Sequence, residues 1–418
     1  MKVIIAGGGI GGLTLALSLH AAGIGVELHE AAPEPRPLGV GINLQPHAMR
    51  ELTELGLGER VLAAGVPTRE LLYLNRHGEE IWREDRGLHA GYRWPQVSIH
   101  RGELLMLLLA AARERFPEAI HLGSRGIAVE SDAAGATLLL AGGGMARGDA
   151  VVAADGIHSA TRAQWFPDEG PPRWNGSILW RATAEHPGFL TGRSMFQAGT
   201  NDVKFVCYPI RAATADRPAL INWIAEKRVD PATPWAREDW NRPGTIEDFL
   251  PLFTRWEWPW LSVPELIRRT GAVWEFPMVD RDPLPRWTHG RATLLGDAAH
   301  PMYPIGSNGA SQAIIDARVL AFHLATAGEV AAGLAGYEAA RRPATAALVE
   351  ANRRAGPDRV LDIAEARAPE GFGASGREVF LPRAELEAIA QGYKRIAGFE
   401  PAALNARPSY SARSRTAV

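Results

Sequence analysis

Three glycines near the start of the chain have the spacing G-x-G-x-x-G, which suits a backbone turn that binds the pyrophosphate of a dinucleotide. They are Gly7, Gly9 and Gly12, and Ile10 and Gly11 complete the turn. Gly7 permits a tight bend, Gly9 leaves space for a phosphate beside the backbone, and Gly12 lets the next helix pack closely on the strand. The apolar runs before and after the turn therefore predict a strand and a helix whose N-terminal N–H groups face the phosphates.

Acidic residues follow three strand-like runs, at positions where hydroxyl groups of a ligand could be bound. Glu30 ends the second run, Asp155 and Gly156 follow residues 149–154, and Gly296 and Asp297 follow residues 291–295. Ligands of open parallel sheets bind at the carboxyl ends of the strands, so each acid could accept hydrogen bonds from ribose or ribityl hydroxyls. Each acid could equally serve a plain turn or a helix N-cap.

The elements that must position these residues predict an α/β protein with an inserted sheet. Strand-like and helical segments alternate at both ends of the chain, whereas residues 171–279 show short strand-like runs separated by Pro- and Trp-rich connections. We therefore predict a Rossmann-like dinucleotide-binding domain formed by residues 1–70, 98–170 and 285–355. Residues 71–97 and 171–284 would form a β-rich substrate domain, and residues 356–418 a C-terminal helical segment ending in a mobile tail.

The composition argues against several classes of protein. The chain has 418 residues, of which 46% are hydrophobic and 22% charged, and its net charge of −2 gives no sign of a nucleic-acid partner. No apolar run reaches the roughly 20 residues of a membrane span. The twelve histidines are scattered without metal-ligand spacing, so we predict no metal site. The single cysteine, Cys207, cannot form an internal disulfide, which suits a reducing cytoplasm.

The order of the three motifs resembles that of the FAD-dependent aromatic hydroxylases, the single-component flavoprotein monooxygenases of the para-hydroxybenzoate hydroxylase type. The resemblance spans roughly residues 1–355. It implies that Gly296 and Asp297 contact the flavin ribityl chain, and that Asp155 and Gly156 serve both FAD and the nicotinamide cofactor. It also implies that Arg101, which opens a helix after the first hairpin, contacts FAD.

Residues 304–310, the ring-facing run, resemble the helix start that faces the flavin ring in this family. The amides of this run would stabilise negative charge on the ring. The resemblance implies no certain catalytic side chain, because the cofactor carries the reaction. The residues that it places against the ring are Pro304, Gly309 and Ala310, and the predicted FAD-binding set further includes Gly7, Gly9, Ile10, Gly11, Gly12, Glu30, Ala31, Gly41, Gly306 and Asn308.

The reaction implied by the resemblance uses FAD, NADH or NADPH, and dioxygen. A flavin hydroperoxide would hydroxylate a small aromatic or N-heteroaromatic substrate, with or without decarboxylation. Residues 41–47, 91–95, 277–283 and 308–313 resemble the phenazine-modifying members of the family. Three alternatives stay open: a flavin-dependent reductase or dehydrogenase, a halogenase, and a non-catalytic protein with the FAD-binding fold. A homodimer is equally open.

A substrate pocket is expected on the inserted sheet, because flat apolar walls suit a planar ligand. An arginine on such a strand could bind a substrate carboxylate through two hydrogen bonds. The predicted pocket residues are Trp180, Arg181, Phe205, Tyr208, Trp223 and Trp274.

Overall fold

The computed structural model describes residues 1–37, 39–230 and 242–412. The predicted substrate domain and tail extend into residues 231–241 and 413–418, which lie outside this part of the chain. The strands are β1 (Lys2–Ala6), β2 (Gly25–His29), β3 (Gly41–Leu44), β4 (Val66–Thr68), β5 (Glu70–Leu74), β6 (Glu80–Asp85), β7 (Gln96–His100), β8 (Ile120–His121), β9 (Gly126–Ser131), β10 (Ala136–Leu140), β11 (Met145–Gly148), β12 (Ala150–Ala153), β13 (Arg173–His186), β14 (Ser194–Gly199), β15 (Val203–Arg211), β16 (Ala219–Arg228), β17 (Glu257–Trp258), β18 (Leu261–Ser262), β19 (Trp274–Asp280), β20 (Thr288–His289) and β21 (Ala292–Leu294).

The helices follow the strands of the first sheet and fill the C-terminal part. They are α1 (Ile10–Ala21), α2 (Pro46–Glu54), α3 (Gly58–Ala64), α4 (Arg101–Arg115), α5 (Ala160–Trp165), α6 (Val263–Arg268), α7 (Gly309–Thr326), α8 (Val330–Arg353), α9 (Arg359–Arg367), α10 (Arg377–Phe380), α11 (Arg383–Ile396) and α12 (Pro401–Ala406). None of these described helices combines the length and the apolar character that a bilayer crossing requires.

A six-stranded sheet with the order β20-β21-β12-β1-β2-β8 forms the centre of the molecule. Strands β21, β12, β1, β2 and β8 run parallel. The β-branched residues Val3, Ile4 and Ile5 are fully buried, because helices cover one face of β1 and the strands β9–β11 cover the other. The carboxyl ends of β1, β2, β12 and β21 therefore meet at one edge, where the glycine turn and the three acids follow.

A second sheet of seven strands has the order β19-β13-β16-β15-β14-β5-β6. Its neighbouring strands are antiparallel except for the parallel pair β14 and β5. All of its strands lie within residues 70–85 and 173–280. The α/β class with an inserted sheet and C-terminal helices is confirmed.

The described part of the C-terminal tail makes polar contacts with α2 and α7 through residues 407–411. After α12, the Arg407 guanidinium pairs with the buried carboxylate of Glu51. Ser409 Oγ donates to Glu54 Oε2 at 2.6 Å, and Arg318 Nη2 donates to Ser411 Oγ at 2.7 Å. The sequence pattern did not predict the packing of this segment, because polar rather than hydrophobic contacts hold it against α2 and α7.

Candidate active site

The glycine turn has the geometry that a pyrophosphate site requires. Gly7 has a φ of 107°, and a Cβ there would clash with the Ala154 carbonyl oxygen. A Cβ on Gly12 would clash with the Gly7 carbonyl oxygen, so Gly12 allows α1 to pack on β1. A Cβ on Gly9 would meet no described atom within 4 Å. Only Gly9 thus faces open space, beside the N-terminus of α1.

Glu30 closes the far side of this turn. Its carboxylate accepts hydrogen bonds from the Gly8 N–H at 2.6 Å and the Ala32 N–H at 2.7 Å. Ala31, the residue between Glu30 and Ala32 in the sequence, is half-buried. The two bonds orient Glu30 at the end of β2, and a carboxylate has further lone pairs for ribose hydroxyls.

Asp155 offers an acceptor beside an open backbone position. Its Oδ2 accepts from the Ala160 N–H at 2.9 Å, whereas its buried Oδ1 has no partner among the described residues. Burial raises the pKa of this carboxyl, although hydrogen bonds from Ser159 and neighbouring amides oppose the shift. Gly156 has a φ of 81°, and a Cβ on it would meet nothing within 4 Å. A hydroxyl of a bound cofactor would satisfy Oδ1.

Asp297 follows β21 at the carboxyl edge of the six-stranded sheet, and its side chain is exposed. Its desolvation raises its carboxyl pKa, and the charges of His300 and Arg101 oppose that shift. Gly296 precedes it with a φ of 61°. The Gly296 N–H donates to Asp316 Oδ2 at 3.1 Å, so the buried Asp316 fixes the position of Asp297.

The loop at Gly41 is fixed from the second sheet. The Gly41 N–H donates to Asn222 Oδ1 at 2.7 Å. The Gly41 carbonyl accepts from Arg181 Nη2 at 3.0 Å and from Tyr208 Oη at 2.9 Å. Arg181 and Tyr208 therefore hold the start of β3 through the Gly41 carbonyl, while the buried Arg181 Nε has no partner among the described residues. The role of Arg181 toward a substrate stays a prediction.

Arg101 lies at the start of α4 with an exposed side chain. Its backbone N–H donates to the carbonyl of Val40, the residue before Gly41, at 2.9 Å. The charge of Arg101 opposes the rise in the pKa of Asp297 and adds to the lowering of the pKa of Arg181. Arg101 is therefore well placed to reach a cofactor in the cleft.

The ring-facing run is held in a strained conformation by α11. Gly306 and Ser307 have φ values of 69° and 55°, and a Cβ on Gly306 would clash with Tyr393 Oη. Tyr393 Oη donates to Asn352 Oδ1 or to the Ile305 carbonyl, at 2.9 and 3.1 Å, and accepts from Asn308 Nδ2 at 2.9 Å. These bonds fix the start of α7.

The exposed side of the run presents backbone rather than side chains. Pro304 is exposed, and Gly309 and Ala310 are half-buried. A Cβ on Gly309 would meet no described atom within 4 Å, so there is open space beside the first residue of α7. The run thus leads into the N-terminus of α7, and its contact with a flavin ring stays a prediction.

Trp180, Phe205 and Trp223 lie on the opposite face of the second sheet from Gly41, which corrects their prediction as pocket walls. Phe205 stacks on Trp223 with ring centroids 5.8 Å apart, and Trp180 stacks on Phe249 at 4.9 Å. All three are nearly or fully buried in an aromatic core. Trp274 pairs with Arg181 across β13 and β19 and shares the Gly41 face. The alternation of residues along each strand assigns them to two faces of the second sheet, but it does not reveal which face is turned toward Gly41.

A cavity that no sequence pattern predicted lies beside the ring-facing run. It lies between the second sheet, Gly306, Ser307 and α11. Several polar groups that line it are buried without a hydrogen-bond partner among the described residues: Gln45 Oε1, Tyr73 Oη, Arg86 Nε and Gln96 Oε1. Buried polar atoms are rarely left unsatisfied, so such a concentration indicates a ligand site. The lining residues range from Gln45 to Phe399 and come from many separate segments, which no local pattern could connect.

The fold also brings together Glu27, His29 and His121, although the sequence predicted no metal-ligand group. Their ligand atoms lie within 4.8 Å of one another. His29 Nε2 is 2.9 Å from Glu27 Oε1, and Lys2 Nζ already pairs with Glu27 Oε2 at 2.5 Å. His29 stacks on His121 across β2 and β8. We assign these contacts a structural role, because they attach the edge strand β8.

A buried histidine predicts a pH-dependent stability. His47 is 2% exposed, and burial together with the charges of Arg341 and Arg407 lowers its pKa from 6.5 to about 3. Between these values the unfolded chain binds a proton that the folded chain excludes, so stability is full above the upper value and falls as the pH falls. We expect a loss of about 2 kcal/mol between pH 7 and pH 5 from this group.

Urea unfolding at several pH values checks this prediction. His47→Asn should unfold with a shallower pH dependence than the wild-type protein, whereas the exposed His89 substituted in the same way should leave the dependence unchanged. Equal slopes for His47→Asn and the wild-type protein would show that His47 is protonated normally in the folded state.

Comparisons with known proteins agree with this geometry. Residues 1–171 and 278–352 match the family model described as FAD binding domain. The chain is 48% identical to a phenazine 1,6-dicarboxylic acid hydroxylase of Lysobacter antibioticus, covering 84% of this chain and 89% of the relative. It is 32% identical to a salicylate hydroxylase of Pseudomonas putida, covering 82% of each chain.

Solved structures show the same fold. HpxO of Klebsiella pneumoniae in complex with FAD superposes with a TM-score of 0.76 at 24% identity, covering 96% of this chain and 100% of that chain. A salicylate hydroxylase in complex with its substrate gives a TM-score of 0.74 at 23% identity, covering 98% of both. The chain belongs to the FAD-binding family defined by the matching model. Within that family it belongs to the FAD-dependent aromatic hydroxylases, and FAD is its cofactor.

Proposed function

We propose that this protein is an NAD(P)H-dependent monooxygenase that hydroxylates an aromatic carboxylate, with N-heteroaromatic acids of the phenazine type as the favoured class. The observation that carries the proposal is the convergence of the cofactor cleft and a buried polar cavity on the ring-facing run. The 48% identity to a relative named for a phenazine dicarboxylic acid supports the substrate class.

The described residues fit FAD. Gly9 and Gly156 leave space where a Cβ would point into the cleft, Asp155 Oδ1 lacks a partner among the described residues, and Asp297 is accessible beside a buried framework. We propose that Gly9 and the start of α1 bind the pyrophosphate, and that Asp155 and Asp297 accept hydrogen bonds from cofactor hydroxyls. Glu30 and Arg101 complete the proposed set.

The chemistry that FAD supplies when bound is hydride acceptance from NAD(P)H and activation of dioxygen. One oxygen atom of dioxygen enters the product, and the other leaves as water with the two electrons of NAD(P)H. The chain's own contribution is to orient and to shield. Tyr393 fixes the ring-facing run, whose amides at Gly309 and Ala310 would stabilise negative charge on the ring.

The second sheet and α11 exclude water from the space beside that ring. Leu71 and Met195 from the sheet, Ala390 from α11 and the adjacent Phe399 provide apolar walls around the polar groups of the cavity. Exclusion of water matters because activated oxygen is otherwise lost as hydrogen peroxide.

The experiment that tests the function measures NAD(P)H oxidation together with oxygen uptake. Benzoate, hydroxybenzoates, a pyridine carboxylate and a phenazine monocarboxylate would be compared with NADH and with NADPH. We expect a carboxylate from this panel to accelerate NAD(P)H oxidation at least tenfold and to give a hydroxylated product. Oxidised product formed without oxygen would identify a reductase or dehydrogenase instead, and a chloride-dependent product a halogenase.

The division into a discontinuous FAD-binding domain and a β-rich substrate domain is part of the same proposal, as is a cytoplasmic site of action. The division into two domains is supported by the separation of the strands into two sheets. The proposed cofactor residues come directly after strands of the six-stranded sheet, whereas most of the cavity's polar groups come from the second sheet and α11.

A further inference from the structure

Three ionised side chains lie buried at the wall of the cavity. Glu84 lies between Arg86, with which it forms an ion pair, and Lys394, whose Nζ is 2.7 Å from Glu84 Oε2. The side chains of all three are at most 10% exposed. Arg86 follows β6 on the second sheet, and Lys394 belongs to α11. Two separate elements thus bring two cations to one carboxylate.

This ion group carries one net positive charge. Burial acts to raise the pKa of Glu84, but the charges of Arg86 and Lys394 outweigh it, so the carboxyl pKa lies below its ordinary value. Two further buried carboxylates, Asp358 and Glu226, share the buried Lys204 at 2.9 and 3.1 Å, and none of these three residues lines the cavity. In the cavity wall itself two cations face one carboxylate, so an anionic ligand there could form charge-assisted hydrogen bonds with both cations.

Neutral polar groups complete the cavity. Tyr73 Oη, Gln45 Oε1 and Gln96 Oε1 are unpartnered among the described residues, and their side chains are at most 4% exposed. Gln45 is oriented by its Nε2, which donates to the Gly306 carbonyl at 3.2 Å. The polar groups therefore surround a ring that would lie next to the ring-facing run. The cavity has about 20 Å³ of free space, enough for one water molecule, so the binding of a ring requires the cavity to widen.

We infer that Arg86 and Lys394 bind the carboxylate of the aromatic substrate. Glu84 neutralises one of these two cations, so a ligand with a single carboxylate balances the charge that remains. The inference rests on the proposed function, since it assigns specificity to the same reaction. Tyr73 would hydrogen-bond a ring nitrogen or hydroxyl. The substrate is thus held from the second sheet and from α11 together, with its acid group away from the cofactor.

The test compares a carboxylate with its uncharged carboxamide as ligands of the FAD-loaded protein. A phenazine monocarboxylate and the corresponding amide would be titrated through the change in flavin absorbance. We expect the wild-type protein to bind the carboxylate at least thirtyfold more tightly. Lys394→Met should reduce this preference to less than fivefold, through weaker carboxylate binding, with FAD content and amide binding unchanged.

Two further variants separate charge from structure. Glu84→Gln should tighten carboxylate binding several-fold, and the double variant Lys394→Met with Glu84→Gln, which restores one net positive charge, should regain most of the lost preference. Arg383→Met is the matched control, because Arg383 is on the same helix with its side chain 72% exposed. It should leave the preference unchanged.

The outcomes distinguish the two proposals. If an aromatic carboxylate is hydroxylated but Lys394→Met discriminates as the wild-type protein does, the ion group is not the recognition site and the inference is wrong. Failure of the double variant to recover binding would also overturn it. If the protein hydroxylates no aromatic compound, but its carboxylate affinity changes in the variants of the ion group as expected, the proposed reaction is wrong and the proposed binding site is supported.

Discussion

Replacing Gly9 by valine is expected to weaken FAD binding on the order of a hundredfold, which corresponds to about 2.7 kcal/mol, without destabilising the FAD-free protein. Gly9 has a φ of −72° and a ψ of −177°, an extended conformation that valine adopts readily. A Cβ at this position would meet no described atom. The added side chain would instead occupy the space in which the proposal places the pyrophosphate.

Fluorescence titration of the FAD-stripped protein with FAD, together with its thermal unfolding, checks this prediction. Gly142→Val is the matched control, because Gly142 lies in an exposed turn between β10 and β11 and a Cβ there would also meet nothing within 4 Å. The control should bind FAD normally. Wild-type FAD affinity in Gly9→Val would place the pyrophosphate elsewhere.

The second large effect is expected at Arg162, whose replacement by methionine should lower the free energy of unfolding by about 3 to 5 kcal/mol. Arg162 is 1% exposed. It pairs with Glu169 and donates to the Ala298 and Ala299 carbonyls at 3.1 and 2.8 Å. These carbonyls directly follow Asp297, so Arg162 also connects the helix after Asp155 to that loop.

Because the same guanidinium positions two parts of the cofactor site, Arg162→Met should also purify with less bound FAD. Urea unfolding and the ratio of flavin to protein absorbance measure the two effects. Arg173→Met removes an arginine with a 60% exposed side chain that pairs with Asp282, and should change stability by less than about 0.5 kcal/mol. Equal stabilities of the two variants would contradict the role assigned to Arg162.

The backbone geometry of the proposed cofactor site could largely be predicted from the sequence, because its signals are local. The glycine spacing at residues 7–12 determines the turn within six positions, and Asp155 and Asp297 each follow a buried strand. Parallel neighbours then place these strand ends at one edge. Each step uses residues within a few positions of one another, together with a topology that few alternatives satisfy.

The substrate cavity could not be anticipated, because its residues meet only through strand register and helix packing. Trp180 and Arg181 are adjacent in sequence, yet one packs in an aromatic core and the other binds the Gly41 carbonyl. Alternation predicted two faces, but the face toward the cleft depends on which elements cover each side. Lys394 reaches Glu84 across 310 positions of sequence, and no periodicity predicts such a pair.

The tail shows the same limit. Residues 407–411 lack a hydrophobic period, and the sequence pattern favoured mobility. They contact two acids on α2, the half-buried Glu54 and the fully buried Glu51, which also pairs with Arg318 at 3.2 Å. A segment held by charge at a distant helix leaves no pattern in its own sequence.

The most direct test of the proposed reaction is the fate of the oxygen atoms during turnover. The FAD-loaded protein would be supplied with NAD(P)H and an aromatic carboxylate under isotopically labelled dioxygen, and the product analysed by mass spectrometry. The proposal predicts one labelled oxygen atom per product molecule and one NAD(P)H consumed for each. A hydroxylated product that carries oxygen from water, or product formed without dioxygen, would contradict it.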